Sequence, residues 1–255
     1  MSKPRLTYFA GRGFAEVTRL ALNAAQIEYD DVYLRTREEF LQLITDGKLM
    51  FKQVPLLEID GKNLIGSECV LRYVCNKAKL QGKSDDDQTK NLIGSECVLR
   101  YVCNKAKLQG KSDDDQTKIE MLSMGARDML KGGFSGAKFQ ATPEKEEEML
   151  QSAAKQCKDR YLPVFEKVLG ENKSGFLVGD SLTMADLMFF DGLSYVNEIP
   201  QIKSLLDDFP NCKAFIVHFS SQSGIKEYLA SPRRHPPPND EYVRGVRKVL
   251  NPPSS

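Results

Sequence analysis

Histidine is almost missing from this chain of 255 residues: there are two, His218 and His235, and neither stands in a ligand-like spacing with cysteine or acid. The His and Cys patterns that hold zinc and related ions are therefore excluded, and no metal is expected. A surplus of charge of one sign is missing too. Lys and Arg number 36 and Asp and Glu 35, a net charge of +1, so neither nucleic acid nor an anionic membrane surface is indicated as a partner. No apolar run is long enough to cross a bilayer, and Met1-Ser2-Lys3-Pro4 lacks a signal peptide's apolar core. A cytoplasmic protein without stable membrane association is the expectation. Of six cysteines, Cys97 and Cys103 repeat Cys69 and Cys75, which leaves four independent positions without Cys-x-x-Cys spacing. They read as reduced thiols packed as small hydrophobes. What is present is ordinary globular material, 41% hydrophobic and 28% charged, enough for one large domain or two small ones.

One feature is not ordinary. Residues 63–90 and 91–118 are identical at every position. Two units are too few for a stacked solenoid, so the reading is a tandem copy of a 28-residue segment in a chain whose remaining 227 residues hold the fold. Asp60-Gly61 is a two-residue hairpin signal that runs straight into the first copy. Placing the second copy there would wedge the insert into the hairpin and break its register. The expectation is that the first copy keeps the native position, and that Ser95–Lys107 of the second forms an extra helix.

Patterning divides the chain. Arg5–Phe9 reads as a strand, Ala15–Ala24 as a helix after Gly11 and Gly13, Glu28–Leu34 as a strand and Arg35–Leu43 as a short helix. Val54–Ile59 and Lys62–Ile65 read as a hairpin, followed by a helix from Ser67. Beyond the repeat the pattern is helical: Ile119–Leu130, Pro143–Leu169, a helix capped by Thr183 and Asp186, a helix from Phe209-Pro210, and a basic tail helix with Val243, Val246 and Leu250 on one face. The expected fold is an α/β domain over 1–82, a linker with the inserted copy over 83–118, and an all-helical domain with a lid helix over 119–255.

Tyr8-Phe9-x-x-Arg12-Gly13, Leu49-Met50-Phe51-Lys52-Gln53-Val54-Pro55, Arg160-Tyr161-Leu162-Pro163 with Phe165-Glu166-Lys167-Val168-Leu169, and Ser231-Pro232-Arg233 together resemble the cytosolic glutathione S-transferases, most of all the α class. The resemblance implies a thioredoxin-like N-terminal domain and a homodimeric detoxification enzyme that adds glutathione, its co-substrate, to small hydrophobic electrophiles. It implies that Tyr8 steadies the glutathione thiolate by donating a hydrogen bond; without the resemblance, a strand tyrosine packed with its hydroxyl on the rim is the better reading. It further implies that Gln53, Val54, a cis Pro55 and Ser67 hold the peptide, Ser67 taking a carboxylate at a helix N-terminus. Asp128 and Arg160 would reach the partner subunit's site. Phe51 would be the aromatic key of the dimer, received by Phe165 and Met121. Phe9, Gly13, Met129, Val243, Val246 and Leu250 would wall the electrophile pocket, although the apolar tail positions also fit plain core packing.

There are departures. Phe14 stands where the α class has a second arginine, Gly66 where the family has glutamine, and Ile44 where an arginine takes the glycyl carboxylate; Lys48 or Lys52 is left for that role. The copied segment threatens activity. Two rivals remain at this level: a non-catalytic structural or ligand-binding protein on the same fold, and a glutathione-dependent isomerase or peroxidase.

Overall fold

The computed structural model describes residues 3–66, 70, 73–74, 112–131, 133–140 and 142–250. Four strands form one sheet in the order β2-β1-β3-β4, made of β1 (Arg5–Tyr8), β2 (Asp30–Tyr33), β3 (Leu56–Ile59) and β4 (Lys62–Ile65). β1 runs parallel to β2, across the helix α1 (Glu16–Ala24), and antiparallel to β3. Helix α2 (Arg37–Thr45) starts at Thr36, whose hydroxyl accepts from the Glu39 amide at 3.3 Å while Glu39 reaches back to the Thr36 amide at 3.1 Å. This reciprocal cap sets the helix start two residues later than the pattern suggested. The β3–β4 turn has Asp60 and Gly61 at φ 51° and 71°, the left-handed pair that a two-residue hairpin requires.

The second domain is helical: α3 (Asp113–Lys131), the single turn α4 (Phe134–Ala137), α5 (Pro143–Gln156), α6 (Leu162–Asn172), α7 (Met184–Glu198), α8 (Pro210–Ser220), α9 (Ile225–Leu229) and α10 (Asp240–Leu250). α3 begins at Asp113, not at residue 119. Ser112 caps it by accepting the Asp115 amide at 3.2 Å, and a run of aspartates at the positive end of the helix dipole favours the earlier start. The last residues of the second copy therefore belong to this helix. The stretch 143–169 is two helices, not one: a π turn over Cys157–Tyr161 separates α5 from α6. Pro163 explains it, since it lacks the amide that a continuous helix would need there.

The central helix α7 is buried along nearly its whole length. Its first turn is anchored by the buried Asp186, which accepts from the Thr183 amide, the Thr183 hydroxyl and the Leu177 amide, each at 2.7 Å. Aromatic rings fill the core around it: Phe165 stacks on Phe189 with centroids 3.9 Å apart, and Phe190 on Phe219 at 4.3 Å. Each large side chain so buried contributes roughly 1.5–3 kcal/mol. α7 packs against both α3 and α1 and so joins the two domains.

Candidate functional site

β1, an interior strand, delivers Tyr8 at its C-terminal end, where the chain leaves through Gly11, Arg12 and Gly13. The register that pairs Thr7 with Leu56 sets Tyr8 across from Pro55. The ring of Tyr8 is buried and its hydroxyl accepts the Phe14 amide at 3.1 Å. A second phenol, Tyr242 of α10, brings its hydroxyl to 3.5 Å. Burial pushes the Tyr8 phenol above its ordinary range, opposed by Tyr242, the Phe14 amide and the charge of Arg19. At neutral pH Tyr8 keeps its proton and can only be a donor, not a base, toward an anion beside it. Gly13 stands at φ 41°, and a Cβ there would lie 2.4 Å from the Tyr8 hydroxyl and 2.5 Å from that of Tyr242.

Behind the tyrosine, six charges alternate across the domain boundary. Asp31 pairs with Arg19 at 2.8 Å, Arg19 with Glu16 at 3.5 Å, Glu16 with Arg234 at 2.8 Å and Arg234 with Glu198 at 3.2 Å, and Glu198 closes on Arg12. Tyr228 donates to both Glu16 oxygens at 3.0 Å. Three arginines thus meet three carboxylates. A fourth acid, Asp191, is buried beside them with its Oδ1 unmet by any donor among the described residues. Burial, reinforced by Glu16, lifts its carboxyl to about 8. In an unfolded chain that proton leaves near ~3.9. Folding therefore takes up a proton between those values, so this group's contribution to stability is full at low pH, declines as pH rises through the window and levels off above about 8. Asp191→Asn should remove the decline. Chemical denaturation at pH 8 is expected to find the variant more stable, the gap closing toward pH 4 at no more than ~1.4 kcal/mol per pH unit; a gap independent of pH would refute the assignment.

Opposite Tyr8 the chain turns through Lys52 at φ 51° and Gln53 into a cis Val54–Pro55 peptide. Pro55 is buried, Val54 half-buried and Gln53 exposed. Among the described residues nothing hydrogen-bonds to the Val54 backbone. An extended peptide laid along this bend would find a free amide and carbonyl to pair with, as a strand added to a sheet edge does.

The sheet region matches the family model of the glutathione S-transferase N-terminal domain over residues 4–76, and the helical region that of the glutathione S-transferase C-terminal domain over residues 127–232. Glutathione S-transferase alpha-4 of Rattus norvegicus is 36% identical over 249 residues, 97% of this chain and 98% of that one. This chain is a member of the glutathione S-transferase family. Glutathione S-transferase A1 of Homo sapiens is 32% identical over 250 residues, 97% of this chain and 98% of its own. The solved glutathione S-transferase of Ascaris lumbricoides superposes with a TM-score of 0.69 at 26% identity, covering 93% of this chain and all of that one. The transferase conjugates the thiol of glutathione, its co-substrate, to electrophiles. No described helix is long and apolar enough to cross a membrane, and no group of three metal-ligating side chains occurs among the described residues.

Within the transferase, Phe9 and Gly13 lie against Tyr8, and the register sets the Val54–Pro55 bend opposite it. Ser67 and the Ser95–Lys107 segment lie outside the described residues. Lys48 is engaged with Glu58 at 2.8 Å, whereas Lys52 has no ion-pair partner among the described residues. Asp128 and Arg160 are exposed on the helical domain. Two pocket candidates have other surroundings as well. Met129 is 1% exposed, and a Cβ on Gly192 would lie 2.6 Å from its methyl, so it belongs to the α3–α7 seam. Leu250 is 42% exposed at the end of α10, where Arg37 binds its carbonyl. Phe9, Val243 and Val246 are buried, and Phe9 packs edge-on against Tyr8 with centroids 5.0 Å apart. Phe51 is 61% exposed and Met121 65%, while Phe165 is buried in the core, stacked on Phe189. The sequence pattern missed Tyr242, which reads as one more position of an amphipathic tail.

Proposed function

We propose that Tyr8 is the thiol-activating residue of this transferase. Its phenol donates to the sulfur anion of glutathione while its oxygen accepts the Phe14 amide, and the observation that carries this reading is that pairing at the C-terminal end of β1, across from Pro55. Gln53, Val54 and Pro55 would hold the peptide backbone, and Ser67 its γ-glutamyl carboxylate. Lys52 is favoured over Lys48 for the glycyl carboxylate, because Lys48 is committed to Glu58. Asp128 and Arg160 would act across a homodimer whose key is Phe51; the exposed Met50, Phe51, Met121 and Val164 support such a face. The electrophiles are small and hydrophobic, received by Phe14, Gly13 and the inner face of α10, and the protein is a cytoplasmic detoxification enzyme.

The domain division rests on the same reading, with residues 1–82 binding glutathione and the helical part closing over it. The identical stretches 63–90 and 91–118 are a tandem copy. That β4 takes the first residues of one copy and α3 the last residues of the other supports the first copy as the working one.

The test is conjugation of a chromogenic aryl halide, together with retention on immobilised glutathione. Tyr8→Phe should lower kcat/KM roughly 30-fold while leaving retention intact, the loss of one charge-assisted hydrogen bond of about 2 kcal/mol. Turnover unchanged by Tyr8→Phe would defeat the proposal.

A further inference from the structure

Tyr8 has one proton and two lone pairs on its oxygen. The Phe14 amide takes one lone pair at 3.1 Å, and the proton is reserved for sulfur if Tyr8 activates the thiol. One lone pair is left, and the Tyr242 hydroxyl lies 3.5 Å away from it. Between two phenols either can donate while no anion is present. A thiolate settles the direction, because it only accepts: it takes the proton of Tyr8, and Tyr242 is left to donate to Tyr8.

We propose that Tyr242 is a positioning residue for thiol activation: its hydroxyl donates to the Tyr8 oxygen and makes Tyr8 a stronger donor to the bound sulfur. The inference rests on the reading of Tyr8 above. The 3.5 Å separation is long for a hydroxyl pair, and it shortens once Tyr8 is polarised by the anion, as chained hydrogen bonds strengthen one another and catalytic contacts tighten on binding. The thiol's proton leaves to water, and both phenols keep theirs.

The placement of Tyr242 is built. Its ring lies against Gly11, where a Cβ would come within 2.2 Å of it, and it meets the Phe139 ring edge-on at 5.9 Å. Its helix is tied at both ends. Asn239 accepts the Tyr242 amide at 2.9 Å, and Lys138 pairs with Asp240 at 3.1 Å. At the far end Arg37 donates to the carbonyls of Val249 and Leu250 at 3.2 and 2.7 Å, and Arg247 donates to the Phe139 carbonyl at 3.0 Å. Position 14, the residue after the shared glycine, is Phe14, so no cation from that position assists the sulfur.

The test is a titration of enzyme-bound glutathione without any electrophile, read by the ultraviolet absorption of the thiolate. Omitting the electrophile removes any effect of Tyr242 on the second substrate. Tyr242→Phe keeps the ring and should raise the apparent thiol pKa by about half to one unit, which is roughly 3- to 10-fold less thiolate near neutrality, with the glutathione Kd changed less than about twofold. Tyr8→Phe should raise it further. An unchanged pKa in Tyr242→Phe beside a raised one in Tyr8→Phe overturns the role of Tyr242 alone; an unchanged value in Tyr8→Phe overturns the reading of Tyr8. Arg37→Ala loosens the helix but keeps the phenol. A smaller rise there than in Tyr242→Phe assigns the effect to the hydroxyl, and an equal rise assigns it to helix mobility and refutes the proposal.

Discussion

Gly13→Ala is expected to cut conjugation about a thousandfold, more than the loss of Tyr8's hydroxyl alone. Loss of the Tyr8 donor accounts for roughly 30-fold, and misplacing reacting groups by about an ångström costs ~10²-fold more. The alanine methyl would intrude to 2.4 Å from the Tyr8 oxygen and 2.5 Å from that of Tyr242, so both hydroxyls must leave the position where the sulfur needs them. The backbone resists as well: φ is 41°, a region that costs an L-residue about 1–2 kcal/mol. Stability should fall by little more than that. The signature is therefore a large drop in kcat/KM with a small shift in melting temperature. A variant within tenfold of the parent would show that the turn yields and that the two hydroxyls are not fixed by it.

The largest effect on stability is expected at Asp186. Its buried carboxylate satisfies three donors, the amides of Leu177 and Thr183 and the Thr183 hydroxyl. Asp186→Ala leaves all three facing an apolar cavity. At roughly 1–3 kcal/mol for each abandoned group, less some relaxation, the loss should be about 4 kcal/mol. Because α7 joins both domains, the damage reaches beyond one helix end. Asp186→Asn keeps an acceptor for one amide and should lose about half as much. Denaturant midpoints of the two variants measure the difference. An alanine variant within about 1 kcal/mol of the parent would mean that the donors find other partners.

Much of this could be read from the chain because it is local. Asp60-Gly61 specifies its hairpin through two left-handed residues, and Thr183 and Asp186 specify a helix start within four positions. Other local signals were present but unread: Ser112 before three aspartates caps α3, and Pro163 marks the break after α5. What sequence patterns hide are partners distant in the chain. Tyr242 looks like a member of an amphipathic face, and its hydroxyl finds a partner 234 residues away. Arg12, Glu16 and Arg19 look like solvated charges; they are buried, with Glu198 and Arg234 from the other domain completing Arg12 and Glu16, and Asp31 pairing with Arg19. Burial of ions depends on pairing, and pairing across domains leaves no periodicity to detect.

That alternating row of ions also limits how the two halves could be exchanged between relatives. A hybrid that took the sheet from this chain and its helices from a relative lacking Glu198 and Arg234 would strand Glu16 and Arg12, since their complements sit on the α9–α10 connection and at the end of α7. Recombination that preserves folding must carry Glu198 and Arg234 along with the first 31 residues, so the unit of inheritance is set by electrostatics and does not coincide with the visible boundary between sheet and bundle.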